Sequence, residues 1–236
     1  MKNNLYLNPK SAKEFSDSRY APWQGWYELM PYFNIIQADD TSKPLPTFSH
    51  LPQGMNKNIL DIGSGNGRFL NFLIDNNISF ENYTGIDYSD TLLEISKEKF
   101  NLPNVKFLKQ DFTSESWEIL QDQKFDIKVG FGVTHHLESE TARDNFFKNI
   151  KNHSKNGTLL ILSFWEFWKI PRLMKKAIEI SPNLYKLAFG NNEAERICYK
   201  WEEEDIEKYF VVNNFQIEKE FEMDWNRYFI LSSITS

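Results

Sequence analysis

From residue 58 to residue 164, short apolar segments alternate with segments whose apolar residues recur every three or four positions. The apolar segments predict β-strands at residues 58–62, 83–86, 105–108, 125–131 and 158–164. The periodic segments predict helices at residues 68–75, 91–100 and 139–150, and Asn156-Gly157 predicts a turn before the fifth strand. This alternation is typical of βαβ units and a mainly parallel sheet.

The C-terminal segment follows a different pattern. Residues 202–210 have the periodicity of a helix, and residues 215–221 and 227–231 are two predicted strands. The link around residues 223–226 is too short for a crossover helix, so the two strands must pair antiparallel. The sequence therefore predicts a parallel sheet that ends in an antiparallel hairpin.

The N-terminal segment combines polar and aromatic positions. Its apolar residues follow helical spacing, although Pro31 argues against one unbroken helix: Trp26, Leu29, Met30, Phe33 and Ile36. Residues 39–54 contain three prolines and little periodicity, which predicts a loop. We therefore expect an arm or lid at residues 1–54 and a main domain at residues 55–236, with an insert at about 166–200.

Length and composition restrict the class of protein. A chain of 236 residues with 41% hydrophobic residues is long enough for one α/β domain with a small extension. No stretch approaches the ~20 apolar residues of a membrane span, and no signal peptide is visible. The single cysteine, Cys198, argues against a disulfide and a zinc site. We expect a cytoplasmic monomer or weak dimer without a metal, whose net charge of −6 does not favour nucleic-acid binding through its whole surface.

Residues 59–69 carry the most chemical information, because a predicted strand there leads through three glycines into a predicted helix. Gly63, Gly65 and Gly67 permit a tight turn and let a ligand approach the backbone closely. The next acid at the end of a strand, Asp87, follows Gly67 by 20 residues, as expected for an acid that accepts hydrogen bonds from ribose hydroxyls. The sequence therefore predicts a ligand that contains a ribose.

The glycine spacing separates two classes of ribose ligand. The nicotinamide fingerprint is G-x-G-x-x-G, whereas this loop is G-x-G-x-G and follows an acid, Asp61. A carboxylate there would repel a pyrophosphate but suits a ligand with an ammonium and a sulfonium. Over residues 57–165 the chain resembles the class I S-adenosylmethionine-dependent methyltransferases, whose first motif is D/E-x-G-x-G-x-G. The resemblance implies a Rossmann-like, doubly wound α/β sheet of seven strands in the order 3-2-1-4-5-7-6, with the last strand antiparallel.

The same resemblance implies which residues hold S-adenosylmethionine and its product, S-adenosylhomocysteine. It places Asp61 and the glycine loop at the methionine end, Asp87 at the ribose and Asp111 near the adenine amino group. Backbone after the fourth strand is expected beside the methionine moiety. The expected cofactor-binding residues are Asp61, Gly63, Ser64, Gly65, Gly67, Asp87, Tyr88, Asp111, Phe112, Gly130 and Phe131.

Two adjacent histidines, His135 and His136, directly follow the predicted fourth strand. The ligand crevice of an open parallel sheet lies beyond the carboxyl ends of its strands, so both histidines are expected near the reaction centre. A histidine there could act as a general base, orient the substrate or cap the next helix. Both are candidate catalytic residues, and structural roles remain the alternative.

A more specific resemblance comes from residues 15–23. They are similar to the F-S-x-[ST]-R-Y-x-P-W arm of the tRNA wobble-uridine carboxymethyl methyltransferases, a eukaryotic family. Its G-N-G-[RK] loop and V-x-H-H motif are matched at residues 65–68 and 133–136. Gln24 and Ser64 depart from the family's usual residues.

In that family the methyl acceptor is a carboxylate on a modified uridine, which needs no deprotonation but must be positioned. Arg19 is the candidate cation for that task and thus a third candidate catalytic residue, although it could instead tether the arm to the core. Tyr20, Trp23 and Trp165 are candidate substrate-binding residues.

The segment from residue 169 to residue 186 is basic in an otherwise acidic chain, with five basic residues against Glu179 alone. These basic residues could contact phosphates, or they could form the solvated face of a helix. The helix is suggested by an apolar stripe consisting of Ile170, Leu173, Ala177 and Ile180.

Several acceptor hypotheses remain open at this point. The arm favours a tRNA nucleoside, whereas the acidic net charge favours a small-molecule carboxylate, hydroxyl or amine. A non-catalytic cofactor-binding subunit and a nicotinamide oxidoreductase are further alternatives. The eukaryotic family works with a small zinc-bearing activator subunit, which the resemblance makes a candidate partner.

Overall fold

The computed structural model describes residues 6–33, 57–189 and 194–234. No helix within these ranges is long and apolar enough to cross a lipid bilayer. The predicted loop at residues 39–54 lies outside the described residues, and so does Ile36.

The helices and strands occur in the following order along the chain. The α-helices are α1 (Pro9–Asp17), α2 (Met30–Phe33), α3 (Arg68–Asp75), α4 (Asp90–Lys99), α5 (Glu140–Asn152), α6 (Pro171–Met174) and α7 (Glu203–Val212). The strands are β1 (Asn58–Ile62), β2 (Asn82–Asp87), β3 (Val105–Lys109), β4 (Phe125–Gly130), β5 (Ser154–Trp165), β6 (Ile178–Ser181), β7 (Leu184–Phe189), β8 (Ala194–Tyr199), β9 (Phe215–Met223) and β10 (Asn226–Ser233). Short 3₁₀-helices span Gln24–Leu29, Glu118–Leu120, Thr134–His136 and Phe167–Lys169.

The main sheet has seven strands in the order β3-β2-β1-β4-β5-β10-β9. The five neighbouring strands β3, β2, β1, β4 and β5 pair in parallel, and β10 pairs antiparallel with both β5 and β9. This arrangement confirms the predicted order 3-2-1-4-5-7-6 and the C-terminal antiparallel hairpin. The carboxyl ends of β1, β2 and β4 therefore meet at one edge of the sheet, where a ligand crevice is expected.

Side chains that alternate along the central strands fill hydrophobic layers on both faces of the sheet. Leu60 and Ile62 of β1 belong to one buried cluster, which also contains Phe146 of α5. Ile59 points to the opposite layer, with Phe69 of α3. The central strands are thus buried on both faces, as their continuous apolar runs indicate.

The predicted turn at Asn156-Gly157 is wrong, because both residues lie inside β5. Gly157 has a φ of 75°, and the pairing of β4 with β5 shifts register between Phe125 and Ile127. The glycine therefore marks a bulge in a longer strand instead of a turn before it.

The N-terminal apolar residues do not form one unbroken helix, as Pro31 predicts: a 3₁₀-helix at Gln24–Leu29 is followed by one helical turn, α2. Trp26 is nonetheless buried against α3, with its ring 5.3 Å from that of Phe69. The helical spacing thus predicts the buried face of the arm correctly.

The helix predicted for the basic segment is also wrong. Only α6 is helical, and the chain then forms a separate antiparallel sheet in the order β6-β7-β8, which we call the insert sheet. Ile178 and Ile180 alternate with polar residues in β6, which is a strand period, and Asn183 with a φ of 62° makes the turn into β7. Lys186 pairs with Glu195 across the sheet at 2.8 Å, so this basic residue already has a protein partner.

Candidate active site

The glycine loop connects β1 to α3 at the carboxyl edge of the sheet. Gly63 has a φ of 71°, and a Cβ added there would overlap the side chain of Val133. The backbone N–H groups of Gly63 and Ser64 donate to the Ile86 carbonyl at 2.8 and 3.0 Å. The loop is thus fixed to β2. At Gly65 an added Cβ would meet only Leu92, at 3.9 Å, so the backbone there is open to a ligand.

Asp87 ends β2 directly beside this loop. Its Oδ2 accepts from the Gly65 N–H at 2.9 Å, and its Oδ1 accepts from the Ser89 N–H at 2.8 Å. Burial raises the pKa of Asp87 to about 6, although these N–H donors act in the opposite direction. Each oxygen of an ionised carboxylate has a second lone pair, so Asp87 could still accept hydrogen bonds from the hydroxyls of a ribose.

Asp61 lies in β1, immediately before the loop, and is 2% exposed. Burial raises its pKa to about 7, although the hydrogen bond that Tyr83 donates to Asp61 acts to lower it. The charge of Arg68 also acts to lower this pKa, but it does not offset the burial. A buried carboxylate without an ion pair is unfavourable. A ligand ammonium beside Asp61 would remove that penalty.

The loop and the two acids line a cavity of about 290 Å³. Most of the site residues expected from the sequence line this same cavity: Arg19, Trp23, Asp61, Gly63, Ser64, Gly65, Asp87, Tyr88, Phe112, Phe131, His135, His136 and Trp165. Further lining residues were not predicted as site residues from the sequence, among them Tyr6, Arg68, Arg196, Asp224 and Asn226.

Four expected site residues do not line this cavity. Gly67 precedes α3, and a Cβ added to it would meet Phe100. Gly130 is packed against Leu162 inside the sheet. Asp111 is exposed and accepts hydrogen bonds from the Thr113 N–H and hydroxyl at 2.8 and 2.7 Å, at the rim of a neighbouring cavity. Tyr20 is 81% exposed on the arm.

Unsatisfied polar atoms are concentrated around the cavity. Among the described residues, six buried side-chain polar atoms have no hydrogen-bond partner, and five of them belong to residues that line this cavity. The five atoms are Trp26 Nε1, Ser64 Oγ, His135 Nδ1, Arg196 Nε and Asn226 Oδ1. Buried polar groups are usually satisfied, so this concentration indicates a site that completes its hydrogen bonds with a ligand.

The N-terminal arm, residues 6–33, is bound over the glycine loop. The Asn66 side-chain amide donates to Ser16 Oγ at 3.0 Å and to the Arg19 carbonyl at 3.3 Å. The Ser89 hydroxyl donates to the Tyr6 carbonyl at 2.7 Å. These contacts hold Arg19 and Trp23 at the cavity wall, although both precede β1 by more than thirty residues.

The two histidines lie in the 3₁₀-helix after β4. Burial lowers the pKa of His136 to about 3 and that of His135 well below its usual value, and the positive charge of Arg196 adds to both shifts. The Tyr6 hydroxyl lies 3.1 Å from His136 Nε2. Both imidazoles are therefore neutral at pH 7 and are poor general bases.

His135, His136 and Cys198 bring their potential ligand atoms within 4.8 Å of one another, which the lone cysteine in the sequence did not predict. Burial raises the pKa of Cys198 to about 12, so the free thiol stays protonated. The Arg196 guanidinium acts electrostatically on all three side chains. Its positive charge opposes a metal cation at this position.

Three arginines line the cavity: Arg19, Arg68 and Arg196. Arg68 lies over the rings of Trp23 and Trp26, at 5.0 and 5.3 Å from their centroids. Burial lowers the pKa of Arg19, and the like charge of Arg196 lowers it further. None of the three has an ion pair with a carboxylate within the described ranges.

The sequence and the fold of this chain are similar to those of known proteins. A family model described as a methyltransferase domain matches residues 54–219. The chain belongs to the class I S-adenosylmethionine-dependent methyltransferases. EEF1A lysine methyltransferase 2 of Danio rerio is 30% identical over 221 residues, covering 82% of this chain and 93% of that relative. Putative methyltransferase 235L of Invertebrate iridescent virus 6 is 32% identical over 107 residues, and the match covers only 37% of its length.

Solved structures confirm the fold of this methyltransferase. A methyltransferase from Methanosarcina mazei aligns with a TM-score of 0.63 at 18% identity, covering 80% of this chain and 96% of that one. A Haloferax volcanii putative methyltransferase in complex with its Trm112 activator aligns with a TM-score of 0.58 at 13% identity, covering 80% of this chain and 86% of that one. At these identities the likeness shows the fold alone.

The enzyme uses S-adenosylmethionine, as its family does, and the nicotinamide hypothesis is dropped. The cavity suits this cofactor in two independent ways. Asp61 is a buried carboxylate beside which a cationic group is favourable. An added Cβ at Gly65 would meet only Leu92, at 3.9 Å, so the loop backbone there faces open space. The non-catalytic alternative is dropped as well, because the family comparison supports an enzyme.

Proposed function

We propose that this enzyme methylates a carboxylate, and that the acceptor is a carboxymethyl group on a modified wobble uridine of tRNA. The observation that carries the proposal is the position of Arg19. Its guanidinium lines the cofactor cavity without a carboxylate partner among the described residues. A cation at this position attracts an anionic acceptor and repels an ammonium.

In this proposal the cofactor is held by the residues around the glycine loop. Asp87 accepts hydrogen bonds from the ribose, Asp61 pairs with the amino group, and Tyr88 and Phe112 flank the adenine. Backbone after β4, at Phe131, lies beside the methionine moiety, while Asp111 stays outside because its carboxylate is engaged by Thr113. When bound, S-adenosylmethionine supplies an electrophilic methyl group, and an acceptor carboxylate leaves as its methyl ester, with S-adenosylhomocysteine as the other product.

The charge state of the histidines supports an acceptor that needs no deprotonation. A base with a pKa of about 3, like His136, removes a proton from an ammonium or a hydroxyl very poorly at pH 7. A carboxylate is already ionised there. We therefore assign the two histidines the task of orienting the acceptor, so positioning contributes most to the rate.

The aromatic side chains of the cavity support a nucleoside acceptor. Trp23 stacks on Trp26 with ring centroids 5.5 Å apart. Trp165 also lines the cavity, where its ring lies beside that of His135. Flat indole faces can stack on a nucleobase that is turned out of a single-stranded loop. Tyr20, which is exposed on the arm, would contact the tRNA outside the cavity.

A lysine side chain is the second candidate acceptor, because the zebrafish relative that matches most of this chain is named a lysine methyltransferase. Arg19 and Arg196 oppose this candidate, since both would repel an ammonium. A small-molecule carboxylate fits the same charges and remains the third candidate. The activator complex of the Haloferax volcanii protein makes a small activator subunit a candidate partner.

Transfer of tritiated methyl from S-adenosylmethionine into separate tRNA, protein and small-molecule fractions tests this proposal. We expect label in tRNA that mild base releases as methanol, because an ester hydrolyses and an N-methyl group does not. Base-stable label in protein would support the lysine candidate and overturn ours. Arg19→Ala should reduce the rate of methyl transfer roughly 10- to 100-fold, which corresponds to the loss of one hydrogen bond to a charged group. Lys97→Ala, at an exposed lysine of α4 outside the cavity and outside the basic segment, is the control.

A further inference from the structure

Arg196 lies in β8 of the insert sheet, outside the seven-stranded core, yet its side chain reaches the cofactor cavity. Its guanidinium lies 4.4 Å from the centroid of the Trp165 ring, which orients a planar cation by cation–π contact. It also forms a hydrogen bond with the Tyr6 side chain. The guanidinium is thus held between the insert sheet, the end of β5 and the N-terminal arm.

The hydrogen bonds of Arg196 are incomplete. Its Nε is buried and has no partner. Tyr6 does not neutralise the guanidinium, because burial raises the pKa of the Tyr6 phenol to about 12 and keeps it protonated at pH 7. Arg196 as a whole is partly buried, but the burial of its unpaired Nε donor is costly unless an acceptor completes its surroundings.

Arg19 belongs to the same electrostatic environment. The two arginines act on each other as like charges, and within the described ranges neither forms an ion pair. They come from the arm and from the insert sheet, so the fold brings together two cations from its two peripheral elements. Because both line the same cavity, an anion bound there would be attracted by both charges.

We propose that Arg196 is a specificity-determining residue that binds the acceptor's carboxylate together with Arg19. This inference rests on the proposed function, because it names the residue that recognises the anionic acceptor. A guanidinium presents donors in a planar fork that matches the two oxygens of a carboxylate. The cation–π contact with Trp165 restricts where that fork can lie, and His135 lies beside the same ring at 5.1 Å.

We expect the protein to distinguish two ligands of nearly the same shape by their charge. The probes are 5-carboxymethyluridine and its neutral amide, 5-carbamoylmethyluridine, titrated into the full-length protein loaded with S-adenosylhomocysteine. Tryptophan fluorescence and calorimetry report binding without any methyl transfer. We expect the acid to bind roughly 10- to 100-fold more tightly than the amide, the range of one charge-assisted hydrogen bond or a bidentate pair.

Arg196→Ala should remove most of this preference while S-adenosylhomocysteine still binds. Arg196→Lys should restore only part of it, because an ammonium lacks the planar fork. Arg172→Ala removes the same charge from an exposed position on the insert and should keep the full preference. Thermal unfolding of each variant with bound S-adenosylhomocysteine verifies that the fold is retained.

Two results would overturn the inference. Equal binding of acid and amide by the wild type would exclude an anion subsite, and an unchanged preference in Arg196→Ala would exclude Arg196 from it. Failure of the proposed function has a different signature. In that case the wild type prefers the acid, and Arg196→Ala loses the preference, but no base-labile methyl ester forms on tRNA.

Discussion

The phenol of Tyr83 donates a hydrogen bond to the carboxylate of Asp61 across the parallel pairing of β2 with β1. Tyr83 is fully buried and Asp61 is 2% exposed, so the carboxylate has almost no contact with water. Burial consequently dominates, and the pKa of Asp61 rises to about 7. The ionisation of the acid beneath the glycine loop therefore changes within the physiological range of pH.

Cofactor affinity should increase with pH through this range. The folded-state pKa of about 7 lies above the value of about 3.9 in an unfolded chain, so between these values the cofactor-free fold binds more protons and loses stability as pH rises. A cofactor ammonium favours the ionised acid, so binding below pH 7 releases a proton. Affinity for S-adenosylhomocysteine should rise by up to roughly tenfold per pH unit there.

Calorimetric titration with S-adenosylhomocysteine between about pH 5.5 and about pH 8, in two buffers of different ionisation enthalpy, measures both affinity and proton release. Asp61→Asn should bind more weakly, with a much flatter pH dependence. Asp87, whose pKa is about 6, accounts for the dependence that remains. The same slope in Asp61→Asn as in the wild type would contradict the assignment.

Gly63→Ala should abolish most cofactor binding. The left-handed backbone at a φ of 71° costs a non-glycine residue about 1–2 kcal/mol, and the added methyl would overlap Val133. Gly157→Ala is the control, because Gly157 has a φ of 75° but lies in the β5 bulge, away from the cavity. Both variants should unfold at lower temperature, and only Gly63→Ala should lose S-adenosylhomocysteine binding. Equal affinities in the two variants would show that the loop tolerates a Cβ.

Lys128 provides a stability prediction that is independent of the site. This lysine is fully buried in β4, and its Nζ donates to the Ile150 carbonyl and to Ser154 Oγ at 2.7 and 2.5 Å. Burial holds its pKa well below the usual value, so the unfolded chain binds more protons and this group adds stability as pH rises.

Lys128→Met should therefore gain stability relative to the wild type at low pH, and the gain should shrink towards pH 10. Ser154 Oγ still donates to the Ile150 carbonyl at 2.8 Å, so the substitution leaves that carbonyl with a partner. Urea unfolding at several pH values measures the difference. A constant difference across pH would show that the lysine stays charged inside the fold.

The position of the glycine loop and the two acids could be predicted because its signals are local in sequence. The glycines and Asp87 lie within one βαβ unit, whose geometry fixes where the next strand ends. The strand order followed from the family resemblance, and the antiparallel hairpin followed from the short link between its strands. Local spacing alone therefore located Asp61, Gly63 and Asp87 at one edge of the sheet.

The rest of the cavity lining could be predicted only in part, because its residues come from distant segments. Arg19 and Trp23 were identified by resemblance of the arm to a family motif. Tyr6 and Arg196 had no such signal, since only tertiary packing brings the arm and the insert sheet to the cavity. The insert also misled the periodicity analysis, because Leu173 and Ala177 share helical spacing with Ile180, which belongs to a strand.

Asn66 should couple the arm to the glycine loop. Its side-chain amide donates to Ser16 Oγ and to the carbonyls of Ser16 and Arg19, at 3.0, 3.4 and 3.3 Å. Each such bond contributes about 0.5–1.5 kcal/mol, so Asn66→Ala should release the arm in a measurable fraction of molecules. The acceptor KM should then rise several-fold, and S-adenosylhomocysteine affinity should change less.

Trypsin cleavage within the arm reports its release directly, because Lys13 and Arg19 are cleavage sites on it. Asn66→Ala should be cut faster than the wild type, and S-adenosylhomocysteine should slow both. Asn71→Ala removes the same side chain from α3, where its amide donates to Asp75 at 2.5 Å, and should leave cleavage unchanged. If Asn66→Ala and Asn71→Ala were cut equally fast, the arm would be held by its buried aromatic contacts, above all Trp26 against Phe69 and Phe72. Trp26→Leu would then be the variant that releases Arg19 from the cavity.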